Sequence, residues 1–162
     1  MTTKNPTIRA YDANDKATLL HLLELNTPKY FAPSEKEDLE HYLESEIELY
    51  YVLSVDEKIV GCGGINFEQE KTVGIISWDI IHPDHQGKSL GSLLLQHRLN
   101  HLKSMEKIEK IIVRTSQHTH LFYEKQGFVL RETIANYWSE GFDLYFMEYT
   151  NNNKMGTILN NH

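Results

Sequence analysis

Cysteine, long apolar runs and positive charge are all scarce in this sequence, and each scarcity excludes a class of protein. The 162 residues include one cysteine, Cys62, so no internal disulfide can form and a reducing cytoplasm fits best. No run of about 18 apolar residues exists, so no membrane span is expected, and Met1–Pro6 lacks the apolar stretch of a secretory signal. The net charge of −7 argues against non-specific nucleic-acid binding and mildly favours a cationic partner.

The remaining composition is that of an ordinary folded chain. Hydrophobic residues make up 40% and charged residues 24%, and the length suits one domain with one core, predicted over residues 1–150. Residues 151–162 are polar and show no apolar periodicity, so they are expected to form a frayed C-terminal tail. The sequence contains no internal repeat and no low-complexity linker.

Apolar periodicity predicts the order strand, helix, helix, three strands, helix, strand, helix and two strands, in an α/β sheet of mixed direction. Ser34 is predicted to cap the second helix, with Glu37 completing a capping box. The other helices are predicted over Asn14–Asn26, Ser89–Met105 and Gln117–Gln126, and the strands over Thr7–Tyr11, Tyr50–Val55, Ile59–Phe67, Val73–His82, Lys110–Thr115, Phe128–Ile134 and Phe142–Thr150.

The most informative segment is Ile80–Ser92, where an apolar strand ends, a short polar turn follows and a helix begins among small residues. Successive N–H groups at such a turn point into a shared concavity, and the helix dipole adds partial positive charge that suits a phosphate. Gly87 and Gly91 allow the backbone to approach a ligand closely, and Lys88 can add a charge. The alternative is a turn that uses its glycines only for geometry.

Two other motifs overlap this turn. Gly87–Gly91 matches G-x-S-x-G, but that nucleophile elbow needs a strand running directly into the serine, and here Pro83–Gln86 intervene. The end of a Walker A loop is also matched, yet the first glycine of that pattern would fall at His82. A serine hydrolase is therefore disfavoured and a nucleoside triphosphatase is rejected.

The turn resembles the acetyl-CoA pyrophosphate motif of the GNAT superfamily, Q/R-x-x-G-x-G/A, with Gln86 first and Gly91 last. Ser89 replaces the middle glycine. If that position needs a positive φ, serine costs about 1 kcal/mol there, whereas within the helix the change is nearly neutral. A second segment, Leu121–Phe128, resembles the family's helix-to-strand signature F-Y-E-K-x-G-F.

The resemblance covers about residues 7 to 150. It implies a GNAT acyl-CoA N-acyltransferase fold, with a central mixed and mostly antiparallel sheet flanked by about four helices. It also implies an N-acetyltransferase that moves acetyl from acetyl-CoA to a primary amine by direct attack. The cofactor contacts that the resemblance implies are Ile80, Ile81, Gln86, Gly87, Lys88, Ser89, Leu90, Gly91, Ser92 and Ser116, the last at a position where the family often has asparagine.

The resemblance further assigns catalytic roles. Tyr123 matches the general acid that meets the departing thiolate, although packing between helix and sheet is the alternative explanation. The N–H of Ile81 is expected to face the thioester carbonyl as an oxyanion donor. Asp79, on the cofactor strand, is the best single candidate for the base; Glu70, His118 and His120 are the others, acting through a water chain.

Several questions stay open from the sequence. The acceptor is a small amine, a peptide N-terminus or a lysine, and a homodimer is left open. A non-catalytic acyl-CoA sensor with the same fold is the rival function. No metal is expected, because the pairs His97/His101 and His118/His120 lack further ligands nearby. Tyr30 and Phe31 are either an aromatic wall for an amine or packing residues, and Cys62 is expected to be a small core residue.

Overall fold

The computed structural model describes residues 5–150. This part of the chain contains seven strands and four α-helices in the predicted order, which confirms the mixed α/β class. The elements are β1 (Thr7–Ala10), α1 (Lys16–Leu25), α2 (Glu35–Ser45), β2 (Leu49–Val55), β3 (Lys58–Glu68), β4 (Val73–Ile81), α3 (Leu90–Lys103), β5 (Lys110–Thr115), α4 (His120–Lys125), β6 (Phe128–Ser139) and β7 (Phe142–Tyr149).

The described chain divides into two compact units. The first comprises residues 5–66 and 76–99, and the second comprises residues 67–75 and 100–150. The single domain predicted over residues 1–150 stays a prediction, and the predicted tail at 151–162 lies outside the described residues.

In the first unit the strands are ordered β1-β2-β3-β4. The β2–β3 hairpin turns through Asp56 and Glu57, which have φ values of 58° and 67° as a two-residue turn requires. Both helices before the hairpin bury their apolar faces against these strands, at about 1.5–3 kcal/mol for each fully buried leucine. The shared core consists of Leu19, Leu22, Leu23, Leu39, Tyr42, Leu43, Tyr50, Val52, Cys62 and Ile80.

In the second unit the strands are ordered β5-β7-β6, and β7 is antiparallel to both neighbours. The segment after β5 is fastened to the β6–β7 hairpin. Gln117 donates from Nε2 to the Gly141 carbonyl at 2.7 Å and accepts from the Asp143 N–H at 2.9 Å. Trp138 Nε1 donates to the Thr115 carbonyl at 3.1 Å.

The predicted capping box of the second helix is wrong. Ser34 makes no side-chain capping hydrogen bond, and Glu35 instead folds back so that its Oε2 accepts the Ala32 N–H at 2.8 Å. A capping box lies instead at the short 3₁₀ turn Ala13–Asp15 before α1, where the side chains of Asp12 and Asp15 accept backbone N–H groups of the turn. The sequence pattern was misleading because Glu35 and Glu37 both lie in the first turn of α2 and either could accept a backbone N–H there. Packing determines that Glu35 is the one that turns inward.

Two predicted boundaries also need correction. The fourth helix was predicted from Gln117, but α4 begins at His120, because the Ser116 carbonyl accepts the N–H groups of Thr119 and His120 in a turn that precedes it. The strand β6 continues to Ser139 rather than ending at Ile134. Its later residues are exposed, so they carry little apolar periodicity from which a strand could be predicted.

Candidate active site

The end of β4 carries an irregularity in its backbone. Trp78 has a φ of 50°, a left-handed conformation that is rare for a bulky residue and costs on the order of 1–3 kcal/mol. Asp79, Ile80 and Ile81 follow it, and the strand is tied down again where the His82 N–H donates to the Val60 carbonyl at 2.7 Å. The predicted cofactor strand therefore contains a strained step just before the residues expected to contact the ligand.

The turn after β4 has the backbone expected of an anion site. Gly87 and Ser89 have φ values of 77° and 64°, and α3 begins directly afterwards at Leu90. Alternation into the left-handed region turns successive N–H groups toward one side, and the first N–H groups of a helix have no carbonyl one turn earlier to accept them. A Cβ at Gly87 would meet nothing within 4 Å, so conformation rather than space calls for glycine there.

Ser89 settles the question that its replacement of glycine raised. With a φ of 64° it lies in the left-handed region and outside α3. The higher-cost alternative therefore applies, and serine destabilises this turn by about 1 kcal/mol relative to glycine. The turn keeps a left-handed backbone at this position although the residue is serine rather than glycine.

The side chain of Gln86 turns back from the loop and holds it against the end of β4. Its Nε2 donates to the Ile81 carbonyl at 3.0 Å and to Asn26 Oδ1 at 2.9 Å. Asn26, buried at the end of α1, donates from Nδ2 to the same Ile81 carbonyl at 3.1 Å and to the Leu22 carbonyl at 2.9 Å. The polar side chains of α1 and of the loop thus orient the last peptide of the cofactor strand.

The contacts of Asn26 with the loop and with β4 were not predicted from the sequence. The sequence shows only that an asparagine follows the apolar face of α1. Asparagine is common at helix ends for local reasons, so its presence there does not indicate a role in the site. Its partners lie 55 and 60 residues along the chain, and periodicity carries no information at that separation.

These features fit a phosphate-bearing cofactor. Gln86, Gly87, Lys88 and Ser89 are exposed, so the backbone concavity and the lysine charge face solvent. Leu90, Gly91 and Ser92 form the first turn of α3, where the helix dipole is most positive. A pyrophosphate needs this combination of accessible N–H donors and nearby positive charge.

Asp79, predicted as the base, has a partner that the sequence did not indicate. Its Oδ1 accepts from Arg98 Nη1 at 2.5 Å, and the Asp79 side chain is 18% exposed whereas that of Arg98 is fully buried. Arg98 also donates to the carbonyls of Gly64 at 3.0 Å and Leu94 at 3.3 Å. A Cβ at Gly63 would lie 2.6 Å from Asp79 Oδ1 and 2.8 Å from Arg98 Nη1, so glycine is what makes room for this pair.

The opposite side of β4 is covered by aromatic rings. Phe31 stacks on Trp78 with centroids 6.3 Å apart, and Tyr42 lies 6.1 Å from the same indole. The Tyr50 hydroxyl donates to the Trp78 carbonyl at 2.8 Å, and burial raises the pKa of Tyr50 well above its ordinary value. Phe31 thus packs beside the strained step, and the Lys29 ammonium lies 5.1 Å from the centroid of the Tyr30 ring. Whether either ring also borders an acceptor stays a prediction.

Cys62 is confirmed as a core residue. Its side chain is fully buried, and burial raises the pKa of its thiol to about 12. The thiol therefore stays protonated at neutral pH and cannot serve as a nucleophile, since the thiolate is the reactive form.

The remaining predicted residues lie in the second unit. Tyr123, on α4, is 5% exposed and has its ring edge-on to Phe122 and Phe128 at 5.0 and 5.6 Å. Ser116 is buried, and its Oγ accepts the His118 N–H at 3.2 Å. Both positions are thus explained locally by packing and by the turn before α4, and their predicted roles toward a cofactor stay predictions.

The other base candidates have distinct surroundings. Glu70 is exposed in the turn between β3 and β4. The His118 ring contacts Phe142, and His120 is held by its Nδ1 beside the Gln117 carbonyl and by ring contact with Tyr145 at 4.5 Å. Among residues 5–150, no group of three or more His, Cys, Asp and Glu side chains could hold a metal ion. No helix in the same part of the chain is long and apolar enough to cross a membrane.

Comparisons with known proteins identify the class to which this chain belongs. The family model described as Acetyltransferase (GNAT) family matches residues 17–128. The chain therefore belongs to the GNAT acetyltransferase family, as its two motifs predicted.

Curated relatives support this assignment. The chain is 30% identical over 127 residues to the amino-acid acetyltransferase of Pasteurella multocida, covering 78% of this chain and 28% of that protein. It is 28% identical over 128 residues to the enzyme of the same name from Buchnera aphidicola, covering 76% and 27%. The chain thus spans about a quarter of the length of these relatives.

Among solved structures, the ribosomal-protein-S18-alanine N-acetyltransferase from Escherichia coli superposes with a TM-score of 0.72 at 19% identity, covering 90% of this chain and 93% of that one. An aminoglycoside 6'-N-acetyltransferase complexed with coenzyme A gives 0.71 at 17% identity, covering 89% and 96%. At these identities the structures support the fold alone.

Proposed function

We propose that this protein transfers the acetyl group of acetyl-CoA to a primary amine by direct attack. The observation that carries the proposal is the Gln86–Ser92 turn, whose two left-handed residues lead into the N-terminus of α3 directly after an irregular strand. Acetyl-CoA, when bound, supplies an activated thioester. The N–H groups from Gly87 to Ser92 bind its pyrophosphate, and Gln86 keeps their loop against β4.

The chain's own groups then have three tasks. The Ile81 N–H donates to the carbonyl oxygen as negative charge develops there. A base takes one proton from the acceptor ammonium. The neutral amine nitrogen then forms the new C–N bond as the C–S bond breaks, and its second proton is released to solvent as the amide forms. Tyr123 donates a hydrogen bond, and in the limit its proton, to the departing thiolate. Because a thiol has a pKa near 8.5 and a tyrosine near 10, full proton transfer from Tyr123 to the thiolate is uphill in free energy. A strong hydrogen bond to the thiolate costs less.

For the base we propose an order of candidates different from the one that the sequence suggests. Asp79 Oδ1 already accepts a short hydrogen bond from a buried guanidinium, so taking a proton would weaken an ion pair that packing holds in place. We therefore place the proton acceptor among Glu70, His118 and His120, reached through a water chain, and treat Asp79 as an orienting residue.

For the acceptor we propose an amino acid. The curated relatives named amino-acid acetyltransferase match three-quarters of this chain, and a compact zwitterion needs only a small acceptor site. Peptide N-termini, lysine side chains and polyamines are the alternatives that the assay must compare.

One assay tests both levels. Purified protein is incubated with acetyl-CoA and a panel of amino acids, polyamines and short peptides, and release of the CoA thiol is followed. Turnover with one class of amine supports the enzyme, and preference for amino acids supports the acceptor. If acetyl-CoA raises Tm, by the mass action of a ligand that binds only the native state, but no amine is acetylated, the sensor function replaces the enzyme. No Tm shift at millimolar acetyl-CoA would overturn cofactor binding itself.

A further inference from the structure

Trp78, in the strand β4, has a left-handed backbone conformation. Such a conformation persists only where surrounding contacts over-determine it. Two of the hydrogen bonds at this step of β4 come from different elements, one to the Trp78 carbonyl and one to the Asp79 carboxylate.

The first contact comes from β2. Tyr50 is 3% exposed, and its ring is enclosed by edge contacts with Tyr11 at 5.9 Å and Tyr42 at 5.6 Å. The ring cannot swing away, so the hydroxyl is held where it donates to the Trp78 carbonyl at 2.8 Å. A carbonyl displaced from regular strand geometry thereby keeps a buried hydrogen-bond donor.

The second contact comes from α3. Arg98 is fully buried, and its carbonyl partners, Gly64 on β3 and Leu94 one turn earlier, fix the guanidinium. From that fixed position Nη1 holds Asp79 Oδ1. The proposed phosphate-binding turn lies directly before the same helix, so Arg98 joins the turn's helix to the residue that precedes Ile80 and Ile81.

We infer that Tyr50 and Arg98 are positioning residues that clamp the Trp78–Asp79 step and thereby set the placement of the Ile80 and Ile81 peptides. The inference rests on the proposed function, in which the Ile81 N–H faces the thioester carbonyl. Loss of a clamp contact should displace an oxyanion donor, and a misplacement of about 1 Å in such a group can cost about a hundredfold in rate.

The test compares Tyr50→Phe with Tyr11→Phe. Tyr50→Phe keeps the ring and deletes the hydroxyl that holds Trp78. Tyr11→Phe deletes a hydroxyl from the same aromatic cluster, on a ring that packs against Tyr50. Three quantities are measured in each protein at a temperature well below Tm: kcat, affinity for acetyl-CoA by calorimetry, and the amide resonances of ¹⁵N-isoleucine-labelled protein.

In Tyr50→Phe we expect the Ile80 and Ile81 amide resonances to move and kcat to fall at least about tenfold. In Tyr11→Phe those two resonances should stay in place and kcat should change less than about twofold. A Tyr50→Phe protein with wild-type kcat, or with unmoved Ile81 resonance, overturns the clamp, because a merely structural tyrosine would lower Tm without either change.

Arg98→Met, with Arg9→Met as its control, tests the other contact. Arg9 pairs with Asp15 at 2.8 Å in the same unit, so its removal also breaks an Arg–Asp pair but leaves β4 intact. Arg98→Met should move the Ile81 resonance and Arg9→Met should not. If Arg98→Met does not fold, the Tyr50→Phe result decides. Because the resonances are read without substrate, a wild-type protein that fails to transfer acetyl groups would overturn the proposed function while the clamp is still tested.

Discussion

Replacing Ser89 with glycine should stabilise the protein, because Ser89 holds a left-handed backbone that an L-residue adopts at a cost. Its φ is 64°, and its side chain is exposed, so the substitution removes strain without opening a cavity. The gain is about 1 kcal/mol after allowance for the greater freedom of glycine in the unfolded chain. For a chain of this size, that corresponds to a rise in Tm of about 2–4 °C.

The assay is thermal or urea unfolding, without ligand, of the wild type and of the variants Ser89→Gly, Ser89→Ala and Gly87→Ala. Ser89→Ala removes the hydroxyl but keeps the Cβ, so it should not gain stability. Gly87→Ala introduces a Cβ at a φ of 77° in open space, so it should lose stability through conformation alone. A Ser89→Gly protein no more stable than Ser89→Ala would refute the assignment of strain to this residue.

Four other predictions concern the chemistry and the pH dependence. Tyr123→Phe should keep acetyl-CoA affinity and lower kcat by about 10²–10⁴-fold in steady-state assays, as loss of a general acid does. Gly91→Glu should abolish acetyl-CoA binding as measured by calorimetry. Leu93→Glu, at an exposed position two residues later in α3, should retain binding. Asp79→Asn should lower kcat without removing the acidic limb of the pH–rate profile; loss of that limb would restore Asp79 as the base. Burial raises the pKa of Glu35, so the free energy of unfolding should fall as pH rises from about 4.5 through that raised pKa, and Glu35→Gln should remove this fall in urea titrations.

Ser89, where the chain departs from the family motif, has a backbone conformation that favours glycine. The glycine-specific conformation is imposed by neighbours: Gln86 pins the loop to β4, and α3 begins one residue after Ser89. A local penalty of about 1 kcal/mol is small against the burial that holds α3 in place.

Much of this protein could be predicted from its sequence, for a physical reason. The order of helices and strands follows from apolar residues repeating every two or every 3.6 positions, and such patterns need only neighbouring residues. The loop from Gln86 to Gly91 and the α4 segment around Tyr123 were likewise readable, since each motif lies within about ten residues. The burial of Cys62 in the core also followed from its place in an apolar strand.

What the tertiary structure alone decided are the pairings between distant residues. Asn26 meets Gln86 across 60 residues, Tyr50 meets Trp78 across 28, and Arg98 meets Asp79 across 19. The acidic residue that accepts the Ala32 N–H, the left-handed φ of Trp78 and the partner of Asp79 all depend on which faces pack together. Hydrogen bonds of this kind form only after apolar burial has brought the elements into contact, so no local pattern in the sequence encodes them.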